Sequence, residues 1–104
     1  MCGRFTLSSD KKAIEEAFPG LDFTEPLVRR YNIAPTQLVA AIRNDGRYAL
    51  SYLHWGLIPH WAKDKAIGHK MINARAESMS EKPSFKEPFR KKRCLILADG
   101  FYEW

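Results

Sequence analysis

The sequence predicts an α+β fold dominated by antiparallel strands. Short apolar segments such as 37–43 and 93–98 are punctuated by turn residues, above all Asn44-Asp45-Gly46, a strong hairpin signal. Near the start, Ala13, Ile14, Ala17 and Phe18 fall on one stripe of a helical repeat. At 104 residues the chain has room for one small domain and is too short for two ordinary ones.

Taken in order, residues 2–6 read as a short strand at the very start of the chain. Ser8 or Ser9 then caps a helix running to about Phe18, and Pro19-Gly20 stops it. Residues 31–36 form an extended segment ended by its proline, Pro35. A strand over 37–43 passes through the Asn44-Asp45-Gly46 turn and returns over 47–55. Residues 56–70 are loop-like and basic, with Pro59, Gly68 and two histidines. A loop of that length inside a compact domain is unusual unless it has a function. A further short strand is expected over 71–76, a helical turn over 83–89, and a buried strand over 93–98. Asp99-Gly100 marks a bulge or turn before a last strand over 101–104.

Hydrophobic residues make up 45% of the chain and charged residues 28%, which is ordinary globular composition. No apolar run is long enough to span a bilayer, and no signal-peptide pattern follows Met1, so the expectation is a cytoplasmic protein. Cys2 and Cys94 are so far apart that two free thiols are expected rather than a disulfide. Neither belongs to a CxxC pair, and His54, His60 and His69 lack ligand-like spacing to them, so neither a metal nor a cofactor is expected. Seventeen basic residues against twelve acidic ones give a net charge of +5. That excess suits a polyanion such as nucleic acid, although many small proteins are as basic for solubility alone.

Five motifs occur in order along the chain: Met1-Cys2-Gly3-Arg4, Arg30-Tyr31-Asn32-Ile33-Ala34-Pro35, Trp55-Gly56-Leu57-Ile58-Pro59-His60-Trp61, Ile72-Asn73-Ala74-Arg75 and Ala98-Asp99-Gly100-Phe101-Tyr102-Glu103-Trp104. Together they resemble the SOS response-associated peptidase (SRAP) family of abasic-site-processing proteins. The resemblance implies a mainly antiparallel, barrel-like fold of which residues 1–104 form the N-terminal half. Family members are about twice as long and carry a histidine motif in their second half, which His54, His60 and His69 do not match. Leu97 stands where the family often has proline.

The resemblance also implies a chemistry. Loss of Met1 leaves Cys2 with an α-amine and a thiol on adjacent carbons, and these titrate near about 8 and about 8.5 in model compounds. Amine and sugar aldehyde give a Schiff base, and thiol addition closes a thiazolidine that shields an abasic site in single-stranded DNA. For a generic cysteine the plainer reading is a small buried hydrophobe; the Met-Cys-Gly-Arg context favours the nucleophile. Glu103, flanked by aromatic residues expected to raise its pKa, is the matching acid/base. Asn73 is the amide donor to the sugar oxygen or the Cys2 head group. Arg4 and Arg75 are phosphate clamps, with Arg75 expected on the strand face that carries Asn73. Pro35 and Trp61 resemble an apolar wedge stacking beside the lesion, whereas Trp55 is assigned to the core. Run 90–93, Arg-Lys-Lys-Arg, is balanced between phosphate contact and a solvated turn.

Two other readings compete. One is a cysteine peptidase that removes its own Met1, which needs a base, normally His. The other is a non-catalytic fragment that only binds single-stranded DNA. A DNA-bound chain would be nucleoid-associated, and bare strand edges are expected to pair with a second copy or with a second half of the domain.

Overall fold

The computed structural model describes residues 3–103. In chain order the elements are β1 (Phe5–Leu7), α1 (Lys11–Ala17), β2 (Arg30–Ile33), β3 (Leu38–Arg43), β4 (Leu50–His54), a 3-10 helix (Lys65–Lys70), α2 (Pro83–Lys91), β5 (Cys94–Ile96) and β6 (Gly100–Phe101). The strands form two antiparallel three-stranded sheets among the described residues, in the orders β2-β1-β6 and β4-β3-β5. This is the expected α+β architecture.

Segment 94–101 joins the two sheets. Its first part pairs with β3, Ala41 opposite Ile96, and its last part pairs with β1, Phe5 opposite Phe101. Between them the Leu97 amide donates to Ala40 O (3.1 Å) and the Asp99 amide to Thr6 O (3.0 Å). Leu97 is buried at this crossing, with Phe5, Leu7, Ile14, Ile33, Val39, Ala40, Ile42 and Leu50 in the same core cluster. Alternation along β1 sends Phe5 and Leu7 inward, while α1 contributes Ile14.

Several expected elements shift. The cap of α1 is Asp10, whose Oδ1 accepts from the Ala13 amide (2.9 Å); Ser8 and Ser9 are not the cap because both bind Asp99 instead. The extended segment 31–36 stops at Ile33, and a turn follows in which Thr36 takes φ 73°. That turn is held by Thr36 N–H donating to Trp55 O and Trp55 N–H donating to Gln37 O, both 2.9 Å.

The 44–46 turn is present, with Gly46 at φ 84°, but β4 begins only at Leu50. Residues 48–50 are engaged by the segment before β2: Asp22 N–H donates to Tyr48 O (2.9 Å) and Leu50 N–H to Asp22 O (2.8 Å). Residues 71–76 are not a strand; they are irregular, with a bend at Ile72 and no ladder partner, and enter a turn at Ala76. The 83–89 turn is a full helix, started by Pro83 and closed by a basic last turn, Arg90 and Lys91, as suits a helix C-terminus.

The largest correction concerns the strand expected to be buried over 93–98. β5 is exposed throughout, with Leu95 57% and Ile96 47% accessible. It lies at the outer edge of its sheet, and apolar composition alone cannot tell an edge strand from a central one.

Candidate active site

The β1–β6 ladder organises the site. Phe5 pairs with Phe101 and Thr6 with Gly100, so each pair of residue numbers sums to the same value. The Tyr102 amide donating to Arg4 O (3.0 Å) carries the ladder outward, and the same register aligns Gly3 with Glu103. Cys2 lies outside the described residues, but it is bonded to Gly3. Glu103 is exposed at this open end of the sheet, and so is its neighbour Tyr102. The aromatic flanks therefore leave the carboxylate in reach of solvent.

On the other side of β1, the pairing with β2 is irregular. Phe5 opposes Ile33 and Leu7 opposes Arg30, so β2 holds one extra residue between them. A bulge of this kind re-aims side chains. Here Asn32 Oδ1 accepts from Arg4 Nη1 (3.1 Å), and Tyr31 O accepts from Tyr102 Oη (2.8 Å). The second bond spans from β6 to β2 across β1. Arg4 is thus oriented by a neighbouring side chain at the end of the sheet where its carbonyl accepts from the Tyr102 amide.

Asn73 reaches the site from a different direction. It lines an apolar cleft of about 450 Å³ with Phe5, Trp55, Ile72, Ile96, Ala98 and Phe101. Trp55 is the wall that fixes it: the indole packs 5.3 Å from Phe5, ring centre to ring centre, and its Nε1–H donates to Ile72 O (3.0 Å). The Leu57 amide adds a bond to Met71 O (3.0 Å). Partly buried and packed on the core, Trp55 has the role expected of it.

The long loop 56–70 closes on itself. Gly56 takes φ 123°, and a Cβ there would sit 2.5 Å from Gly68 O, so only glycine fits this crossing. His54 Nδ1–H donates to Gly56 O (2.8 Å), which ties that ring to the crossing.

The remaining expected contacts are more dispersed. Arg75 is exposed, and its carbonyl begins a turn by accepting from Ser78 N–H (3.2 Å) and Met79 N–H (2.9 Å). Without a strand over 71–76, the expected shared face with Asn73 does not form. Pro35 is partly buried in the turn before β3. Trp61 is 52% exposed and lines a separate hollow beside α2 with Pro83 and Pro88. In the 90–93 run, Arg90 and Lys91 pair with Glu87 (3.0 and 3.6 Å), and Arg93 Nε donates to Phe89 O (2.7 Å); this is a helix terminus rather than a loose turn. Cys94 is a free thiol, raised by partial burial against the opposing effect of the Arg43 guanidinium. Among the described residues, no three His, Cys, Asp or Glu side chains are grouped to hold a metal. Among the described residues, no helix is long and apolar enough to cross a membrane.

Sequence reasoning missed Asn32 and Asp99 as individual residues, although both stand inside quoted motifs. Asp99 gathers donors from Thr6, Ser8 and Ser9. Those bonds, led by the Thr6 hydroxyl, hold its carboxyl well below the usual carboxylate range. Asp99 follows an apolar strand with no hydroxyl residue of its own, so its pairing with Thr6, Ser8 and Ser9 over about 90 residues of chain was not legible.

The whole chain, residues 1–104, matches the family described as SOS response associated peptidase (SRAP). It is 56% identical over 108 residues to abasic site processing protein YoqW of Bacillus subtilis, covering 100% of this chain and 48% of that protein. Abasic site processing protein HMCES of Gallus gallus is 46% identical over 56 residues, covering 50% of this chain and 17% of its own. A crystal structure of a protein from Bacteroides thetaiotaomicron superimposes with a TM-score of 0.82 at 26% identity, over 99% of this chain and 48% of that one. This chain spans about half the length of YoqW and of the protein in that crystal structure. With a full-length family match and high identity to YoqW, the chain belongs to the SRAP family.

Proposed function

We propose that this chain captures abasic sites in single-stranded DNA by a covalent bond from Cys2, exposed as the N-terminal residue once Met1 is removed. The observation that carries the reading is the β1–β6 register, which aligns Gly3, the residue bonded to Cys2, with Glu103. Names of relatives that process abasic sites support the substrate class.

The reaction proceeds in two bond-forming steps. The Cys2 α-amine adds to the open-chain sugar aldehyde and expels water, giving a Schiff base. The thiol sulfur then attacks the same carbon, its proton passes to the nitrogen, and a five-membered thiazolidine closes. Closure removes the imine that would otherwise promote strand cleavage by β-elimination.

Glu103 is the group that moves protons in ring opening, dehydration and sulfur addition. Asn73, fixed beside the cleft by the Trp55–Ile72 bond, donates to the sugar oxygen or orients the Cys2 head group. Arg4, oriented by Asn32, and Arg75 hold flanking phosphates. Pro35 and the exposed Trp61 face the bases beside the gap, where stacking is worth about 1–3 kcal/mol per base. The peptidase reading in the family's description needs a base for the thiol; His54 is bonded to Gly56 O, which favours crosslinking over peptide hydrolysis.

Substitution of the sulfur separates the two steps. With a single-stranded abasic oligonucleotide, the unaltered chain should give a slow-migrating species that survives a denaturing gel. Cys2→Ser keeps the amine and loses the ring, so its adduct should appear only after borohydride reduction. A Cys2→Ser adduct that persists without reduction would eliminate the thiazolidine.

A further inference from the structure

We propose that Asp99 is a positioning residue: it sets the register of β6 on β1, so that Glu103 stays aligned with the N-terminal nucleophile. This rests on the crosslinking reading above and extends it to a residue outside the reacting groups.

The need for such a residue follows from the length of the ladder. Among the described residues the β1–β6 ladder has two residue pairs, Phe5 with Phe101 and Thr6 with Gly100, extended by one bond from the Tyr102 amide to Arg4 O. A ladder so short has little to resist slippage, and a slip of one residue turns every side chain to the opposite face. Glu103 would then no longer stand opposite Gly3. Something beyond the ladder must fix the register.

Asp99 stands directly before β6 and provides it. Its Oδ1 accepts from Thr6 Oγ1 (2.6 Å). Its Oδ2 accepts from the Ser8 and Ser9 amides, both 2.7 Å, and from the Ser9 and Ser8 hydroxyls at 2.8 and 3.3 Å. The Asp99 amide in turn donates to Thr6 O (3.0 Å). Six bonds thus tie one residue to β1 and the segment leading into α1. Helix capping is not the purpose, because Asp10 caps α1. Arg29 Nε donates to Ser8 O (2.5 Å), which braces the donors from behind. Gly100 follows because a Cβ there would lie 3.0 Å from Thr6 Oγ1, the atom that Asp99 needs.

A carboxylate with this many convergent donors holds one geometry, and no shorter or neutral side chain reproduces it. Asp99 is four residues from Glu103, and Thr6 is four residues from Cys2, so the lock and the reacting groups sit at opposite ends of the same strand pair. A misplacement of reacting groups by about 1 Å can cost about a hundredfold in rate.

The test uses Asp99→Ala and Asp99→Asn in the full chain, alone and with Glu103→Gln. Crosslinking rates are measured at saturating abasic oligonucleotide, beside the half-saturating concentration and the hydrogen exchange of the Tyr102 amide. Asp99→Ala should lower the saturating rate by about a hundredfold with half-saturation unchanged, speed Tyr102 exchange, and cost little more once Glu103 is already Gln. Equal losses in both backgrounds, or unchanged Tyr102 exchange, would overturn the proposal. If Asp99→Ala does not fold, Thr6→Val and Ser9→Ala each remove one donor; each should give an intermediate loss of rate, and wild-type rates in both would overturn it. If the unaltered chain forms no adduct, the crosslinking reading fails by itself. The positioning claim is then decided by Tyr102 exchange and by the rate at which Cys2 condenses with glycolaldehyde, both expected to change in Asp99→Asn.

Discussion

At the scale of single residues, the side chains we propose to carry chemistry are held by neighbours of a different kind from themselves. Arg4 is oriented by Asn32, the loop before Asn73 by the Trp55 indole, and the β1–β6 pair by Asp99. The residue types were legible in the sequence, because Cys2, Arg4, Asn73, Arg75 and Glu103 stand inside short motifs. Their supports were less so, since a hydrogen bond across 28 or 93 residues leaves no local pattern. Asp99 also fixes a pH dependence. Its folded-state carboxyl titrates below the usual range, chiefly through Thr6, so its stabilisation is full above the unfolded value near about 3.9 and declines as pH falls below it. The groups facing it are the hydroxyls and amides of Thr6, Ser8 and Ser9, with Arg29 behind on Ser8 O. The urea midpoint of the unaltered chain should therefore exceed that of Asp99→Asn by the same margin at pH 7 and pH 5, and by less at pH 3. A margin independent of pH across that range would show that the charge is not what stabilises the lock.

Elements fared unevenly between sequence and structure for physical reasons. The helix after β1 was legible because its stripe matches the helical repeat, and the 44–46 turn because few sequences other than Asn-Asp-Gly favour it. The strand expected over 71–76 does not form, since no partner offers it a ladder; its place is fixed by Trp55 and Leu57 bonding to the Ile72 and Met71 carbonyls. Such bonds supply order without a repeat. The loop 56–70 depends in the same way on one crossing, where Gly56 passes Gly68. Gly56→Ala would put a methyl group into a carbonyl oxygen at a φ that L residues rarely adopt, and should cost on the order of 1–3 kcal/mol or more. Chemical denaturation would register this as a lower midpoint at unchanged slope. The crosslinking rate should fall with it, because the crossing anchors the approach to Asn73. A midpoint within error of the unaltered chain would mean that the loop closes by other means.

For the whole molecule, the division into two small antiparallel sheets joined by the segment 94–101 brings the two ends of the described chain together. Arg4 and Tyr102 are bonded, and Gly3 and Glu103 fall opposite each other by extension of that register, because the segment leaves one sheet, buries Leu97 at the crossing and enters the other. The fold class could be read from alternating strands and turns, whereas the exposure of β5 could not, because apolar residues at a sheet edge and at its centre look alike in sequence. The family, over residues 1–104, was legible from five motifs in register, although the structure gathers only some of their residues around the β1–β6 end and the adjoining cleft, with Trp61 and Arg75 lying apart. We propose that these levels converge on Cys2, the residue before Gly3, reacting beside Glu103, just past β6. Intact-mass measurement after incubation with an abasic single strand tests this most directly. The expected product has the mass of the Met1-free chain plus the oligonucleotide less one water, and it should vanish in Cys2→Ala. A Cys2→Ala chain that still gains the oligonucleotide less one water, or an unaltered Met1-free chain that stays unmodified, would contradict it.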